Sequence, residues 1–257
     1  QELADGLAFT RAPLMRIRLV RQGAGRWTIV RSFHHILTDD WCFSLLMMDF
    51  MTHYQAFVEG RDMNVISPPP YREYIAWLQR QDLGAAQQFW KTELAGFTNP
   101  TPLGIDHVER TTPVTESSVG DVYMELSPEV SGQLRFLAQT YQLTPNTFVQ
   151  GAWTLLLSRY RGEEAVLFGV TVAGRPPDLP GVEAIMGLFI NTLPLLVTVP
   201  PEASLMGWLK DLLAANFRFR QYEYAPLVQI HQWSDLPPGQ ALFQACLLFE
   251  HAATAPW

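Results

Sequence analysis

His34-His35-Ile36-Leu37-Thr38-Asp39-Asp40-Trp41 is the stretch on which the reading of this chain turns. Two adjacent histidines with an acid four residues after the second form a compact acid–base group. The segment before them, Arg26-Trp27-Thr28-Ile29-Val30-Arg31-Ser32-Phe33, is apolar and β-rich, and the segment after them has a helical period. Side chains alternate across an extended segment, so only one of the two histidines faces a given cavity. A strand that ends in a histidine-bearing loop is a suitable support for general acid–base chemistry.

Working outward, Leu14–Val20 alternates apolar and basic residues, and Gln22-Gly23-Ala24-Gly25 reads as a turn. With residues 26–33 this predicts a hairpin whose second strand delivers the histidines. From Cys42 the apolar residues Phe43, Leu46, Met47, Phe50, Met51, Tyr54 and Phe57 recur at three and four, which predicts a helix with a core-facing stripe. Ser67-Pro68-Pro69-Pro70 breaks the chain, and helices follow near 71–81 and 84–95. Residues 97–118 are rich in Pro, Thr and Ser and read as a linker. Beyond it come a strand near 120–126 and helices starting at Ser127-Pro128 and Thr144-Pro145. A buried strand is predicted over Ala165–Val172 and another over Thr192–Val199. An amphipathic helix carries Leu205, Trp208, Leu209 and Leu212, and a last strand is expected near 243–250.

Composition narrows the function classes. Hydrophobic residues at 48% against 17% charged describe a folded protein rather than a disordered one. The 18 lysines and arginines are scattered among 25 acids for a net charge of −7, which gives no basic patch and argues against nucleic acid. The residues from Ala184 to Pro201 include Asn191, Thr192 and Pro194 and make a poor membrane span, and Gln1–Asp5 is too polar for a signal peptide. Cys42 and Cys246 lack metal-ligand spacing and are expected to be reduced, mostly buried thiols of a cytoplasmic protein. No metal site is expected: adjacent strand histidines diverge, His53 is on the helix, His107 is in the linker, and His231 and His251 are remote in sequence. No Gly-x-Ser-x-Gly elbow occurs, which argues against a serine hydrolase.

Four further stretches narrow the choice: Tyr71-Arg72-Glu73-Tyr74-Ile75-Ala76-Trp77; Val172-Ala173-Gly174-Arg175-Pro176-Pro177 with Leu179-Pro180-Gly181; Gly187-Leu188-Phe189-Ile190-Asn191-Thr192-Leu193-Pro194; and Leu242-Phe243 with Leu247-Leu248-Phe249-Glu250. Together with the histidine run, in this order and spacing, they resemble the condensation domains of nonribosomal peptide synthetases, members of the chloramphenicol acetyltransferase-like superfamily. His34, His35 and Asp39 match the family's HHxxxDG pattern, and Asp40 stands where it has glycine.

The resemblance implies a two-lobed α/β chloramphenicol acetyltransferase-like sandwich. Residues 1–117 would be the remainder of the N-terminal lobe with its linker, and 118–257 an incomplete C-terminal lobe. The start of the first lobe and the end of the second are expected to be lacking. It further implies amide formation between a carrier-bound acyl or peptidyl thioester donor and a carrier-bound aminoacyl acceptor. The partners would be donor and acceptor peptidyl carrier domains and an adjacent adenylation domain. No cofactor is implied in this domain, since the phosphopantetheine arms belong to the carriers.

By the same resemblance His35 is the catalytic histidine and His34 its packing or hydrogen-bonding neighbour. Asp39 is a structural acid whose candidate partner is Arg175, expected across from it in the other lobe. Trp41, Gly187 and Asn191 are assigned to the substrate tunnel between the lobes, Asn191 either donating into it or satisfying buried backbone. Asp40 brings a second negative charge beside the histidines, which favours imidazolium over the neutral base. It also replaces a residue that tolerates left-handed backbone. Two other readings stay open. A related member with an HRxxxDD pattern is an inert scaffold that recruits a tailoring oxygenase, and a stand-alone acyltransferase to a hydroxyl or amine would use the same histidine chemistry.

Overall fold

In the computed structural model the described residues are 6–62, 67–99, 120–237 and 239–250. Most of the 97–118 linker, His107, His251 and the polar start of the chain lie outside them. Strand β1 (Met15–Gly23) and strand β2 (Arg26–Phe33) pair antiparallel, from Met15 opposite Phe33 to Gly23 opposite Arg26. A short 3-10 turn (His35–Leu37) follows, then helix α1 (Asp40–Val58) and helix α2 (Arg72–Leu78). Next come α3 (Leu83–Glu93), α4 (Pro128–Tyr141), α5 (Pro145–Arg161), β3 (Ala165–Val172), a second 3-10 turn (Val182–Ala184) and β4 (Asn191–Thr198). The described chain ends with α6 (Leu205–Arg220), α7 (Leu227–Trp233) and β5 (Cys246–Leu247).

The chain divides into two compact units, Gln1–Gln81 with Ala173–Ile190, and Asp82–Val172 with Asn191–Trp257. This partition by packing is not the division after residue 117 that the linker suggests. The segment after β3 leaves its sheet and packs on the histidine loop, while α3 packs with α7.

The second unit holds the larger core. Strand β3 lies at the centre of a three-stranded sheet, antiparallel to β4 and parallel to β5. Its residues Val166, Leu167, Phe168 and Val170 are buried on both faces, as a near-continuous apolar run requires. Trp90 of α3, Leu157 of α5, Trp208, Leu209 and Leu212 of α6 and Ile230 of α7 close over it. The helix starts carry the expected caps. Ser127 Oγ accepts from the Val130 amide and Thr144 Oγ1 from the Thr147 amide, each before a proline at the first helical position. One polar pair lies within this packing: the amides of Gln150 on α5 and Asn216 on α6 bond reciprocally at 3.1 and 2.8 Å.

Several expectations change. Residues 120–126 form no strand, because no neighbouring strand among the described residues takes up their backbone groups, and Val122, Tyr123 and Met124 stand exposed. The final strand is only Cys246–Leu247, and Cys246 is exposed rather than buried. On α1 only Cys42 and Ala56 are buried, so the Phe43–Phe57 stripe does not face a core among the described residues. Helix α7 has no counterpart in the sequence pattern, since seven residues hold too few turns for a readable period. Among the described residues no helix is long and apolar enough to cross a membrane.

The Gln150–Asn216 pair gives a test of the core. Replacing Asn216 by Ala leaves a buried amide unsatisfied and is expected to cost about 1–3 kcal/mol. Replacing both residues by Leu is expected to cost less than the single change. Urea unfolding of the three proteins measures both effects.

Candidate active site

The residues of the histidine run take separate structural tasks. Strand β2 ends at Phe33, and the His34 amide donates to Leu14 O at 3.0 Å, which closes the hairpin base. His34 then caps the 3-10 turn: its Nδ1 accepts the Ile36 N–H at 3.1 Å, and the Phe9 ring meets it edge-on at 4.6 Å. With Nδ1 accepting, the neutral ring carries its hydrogen on Nε2. His35 follows inside the turn, exposed, and its imidazole makes no hydrogen bond among the described residues.

Asp39 is the N-cap of α1, and its side chain is 2% exposed. Oδ1 accepts the Cys42 amide at 3.2 Å, and Oδ2 accepts the Phe189 amide at 3.1 Å. Arg175 Nη2 lies 3.5 Å from Oδ1. The guanidinium is itself 5% exposed, and its Nη1 donates to the carbonyls of Val182 and Ile185. Its plane lies over the Phe189 ring at 4.0 Å and the Trp41 ring at 5.1 Å. Two buried charges are thus compensated by each other, by backbone dipoles and by aromatic faces. Arg175 and Asp39 both belong to one compact unit.

Cys42 adds a second link. Its thiol donates to Gly187 O at 3.1 Å and its sulfur accepts the Gly187 N–H at 3.3 Å. The side chain therefore acts as a strand partner for one residue. Burial, the largest cause, pushes the thiol pKa up, which suits a structural thiol and not a nucleophile. Gly187 is required here because a Cβ would enter the Tyr71 ring, and Tyr71 in turn donates its hydroxyl to Leu188 O. Burial, followed by the charge of Asp39, raises the Tyr71 pKa and keeps the phenol a donor. Gly174 has a φ of +61°, and a Cβ there would collide with Phe189 O. Trp77 Nε1 donates to Asp178 Oδ2 at 3.0 Å, tying α2 to the same segment.

The structure brings His34, His35, Asp39, Asp40, Trp41, Arg175 and Gly187 into one unit. Trp41 is half-exposed and its indole N–H donates to Glu183 O at 2.9 Å. Asn191 is not with them. It opens β4 in the other unit, where Nδ2 donates to Glu223 O and Ala225 O and Oδ1 accepts the Thr192 amide. Of the two roles open to Asn191 from the sequence, its amide takes that of satisfying backbone. Asp40 is the first residue of α1, exposed, and among the described residues only Gln142 is a non-glycine with positive φ. No left-handed backbone is required of it, and its charge suits a helix N-terminus.

The sequence reading missed the parts played by Cys42, Tyr71 and Phe189. Tyr71 and Phe189 stand in recognised stretches, but nothing in a sequence shows that one fills the space a glycine leaves. Among the described residues no group of three or more His, Cys, Asp and Glu side chains is placed to hold a metal ion.

Comparison with known proteins follows the same outline. A family model described as "Condensation domain" matches residues 1–254. One of the linear gramicidin synthase polypeptides of Brevibacillus parabrevis is 42% identical over 97% of this chain and 3% of its own length. Chondramide synthase cmdD of Chondromyces crocatus is 40% identical over 98% of this chain and 6% of its own. Among solved structures, the X-domain from teicoplanin biosynthesis superposes with a TM-score of 0.77 at 22% identity, over 93% of this chain and 55% of that one. The first condensation domain of the calcium-dependent antibiotic synthetase, in complex with a substrate analogue, gives 0.67 at 18% identity, over 91% and 53%. The chain therefore spans a few per cent of the curated relatives and about half of the solved domains it matches.

The clamp carries its own test. Asp39→Ala and Arg175→Ala are each expected to destabilise the protein by about 3–5 kcal/mol, since either leaves a buried charge uncompensated. The double variant is expected to lose less than the sum. Denaturant titration of the four proteins measures the coupling, and an effect confined to one of the two single variants would show that the pair is not a unit.

Proposed function

Because this chain belongs to the condensation-domain family, we propose that it forms amide bonds in nonribosomal peptide synthesis. The donor is an acyl or peptidyl thioester on one carrier protein and the acceptor an aminoacyl thioester on another. The acceptor α-amine attacks the donor carbonyl, a C–N bond forms, the C–S bond breaks, and the proton lost by the amine ends on the departing thiol. Phosphopantetheine belongs to the carriers and no cofactor is held by this chain. An adenylation domain is the expected neighbour, and the cytoplasm the expected compartment. Residues 1–117 and 118–257 are proposed as parts of two lobes flanking the reaction site.

One observation carries the assignment of His35: the ring of His34 is engaged in capping the turn, whereas that of His35 is exposed and unengaged. An α-amine with a reference pKa of about 8 is partly neutral near pH 7, so a single imidazole suffices to accept or relay its proton. Tethering supplies the rest of the advantage through orientation and effective concentration. Asp39, Arg175, Cys42 and Gly187 then serve as positioning residues for the loop that bears His35.

Asp40 favours the alternative, an inert scaffold that recruits carriers or a tailoring oxygenase. The helical backbone at that residue weakens the case, since the replacement of glycine there costs no strain.

Single-turnover mass spectrometry with loaded carriers, using the chain in its synthase context, decides between them. His35→Ala is expected to lower product formation about 100-fold or more, the range of a lost general base. Asp40→Gly is expected to change it by no more than a few-fold. Absence of product from the parent with carrier binding intact would favour the scaffold.

A further inference from the structure

Within the unit that bears the histidines, two buried side-chain polar atoms have no hydrogen-bond partner among the described residues, Arg175 Nε and Thr38 Oγ1. They differ in kind. The guanidinium of Arg175 is held by its other nitrogens and by two aromatic faces. The hydroxyl is the one polar group of the Thr38 side chain, and nothing holds it. Valine has the same shape and would fill the position without burying a polar atom. A native chain rarely buries a hydroxyl without a use for it.

Thr38 has a particular place in the loop. Its amide donates to His35 O at 3.3 Å, at the end of the 3-10 turn. That bond sets Thr38 one turn beyond His35, a rise of roughly 6 Å. An imidazole and a hydroxyl reaching toward each other span such a gap. The other polar groups of the run are taken or solvated. His34 Nδ1 accepts the Ile36 amide, and both oxygens of Asp39 accept backbone amides. Asp40 is exposed at the start of α1, where water competes for its carboxylate.

A histidine base needs more than an open ring nitrogen, because the nitrogen that accepts the proton is set by the bond the other one makes. We propose that Thr38 is the positioning residue for His35, an inference that rests on the amide-forming function proposed above. The His35 side chain turns from solvent onto the turn, and its Nδ1–H donates to Thr38 Oγ1. Nε2 then carries the lone pair that takes the proton of the acceptor amine and passes it to the departing thiol. A hydroxyl has two acceptor lone pairs, so it accepts the Nδ1–H bond whether the ring is neutral or protonated. Thr38 acts through His35 and does not itself touch the substrate.

The test compares Thr38→Val, Thr38→Ser, His35→Ala and His35→Ala/Thr38→Val with the parent in the synthase context. Amide formation is read by mass spectrometry over a range of loaded-carrier concentrations, and stability by urea unfolding. Thr38→Val is expected to lower the maximal rate about tenfold, with the half-saturating carrier concentration unchanged and stability no lower than the parent's. Thr38→Ser keeps the hydroxyl and is expected to stay within about twofold of the parent. On the His35→Ala background Thr38→Val is expected to cost nothing further, since the two residues act as a unit. Should the valine variant fail to fold, Thr38→Ala takes its place with the same expected split between rate and saturation.

A Thr38→Val protein that is less stable yet works at the parent's rate assigns the hydroxyl to packing or to an internal water and overturns the proposal. So does an equal loss of rate in the serine variant, or a further loss on the His35→Ala background. A parent that forms no amide, or that keeps its rate in His35→Ala, refutes the catalytic reading of His35 and the proposal with it. A defect in His35→Ala beside an unimpaired Thr38→Val refutes the proposal alone.

Discussion

The geometry around the histidines depends on one buried ion pair. Asp39 and Arg175 are 136 residues apart and both almost wholly withdrawn from solvent. Removing two charges from water is costly, and their attraction offsets the cost only when the remaining donors and acceptors are filled. Most of the cluster meets that condition, although Arg175 Nε is buried without a partner among the described residues. Asp39 takes two backbone amides, Arg175 gives to two backbone carbonyls, and aromatic rings lie against the guanidinium. Cys42 and Gly187 close a further pair of backbone groups that the approach of the segments would otherwise leave unsatisfied.

Such a clamp has a functional consequence beyond stability. A base must sit within about half an ångström of its working position to be effective. The 3-10 turn bearing His35 is three residues long and has little rigidity of its own. It is fixed at one end by the His34 cap and the hairpin, and at the other by the Asp39 cap of α1. Four consecutive features, strand end, turn cap, exposed histidine and helix cap, thereby fall within seven residues.

Much of this was legible in the sequence where local chemistry sets the outcome. The hairpin, the proline-bearing helix starts and the apolar run of β3 follow from short-range rules, and the structure has each of them. What escaped depends on who the neighbour is. The stripe on α1 has a helical period, yet period alone does not say what covers it. Residues 120–126 have strand-like composition, but a strand exists only with a partner. Asn191 is polar beside a strand, and its role turned on two carbonyls more than thirty residues away. The nearness of Tyr71 to Gly187 is likewise a tertiary fact with no local signature.

The distribution of work also fits the chemistry proposed. Amide formation from a thioester and an amine is downhill and needs little beyond alignment and one proton acceptor. A protein performing it has no reason to assemble a nucleophile, a metal or a chain of relays. The described unit invests accordingly: the thiol is buried and raised in pKa, the phenol of Tyr71 is held as a donor, and both carboxylate oxygens of Asp39 are occupied. Asp39, Cys42 and Tyr71 are thus each engaged in holding structure.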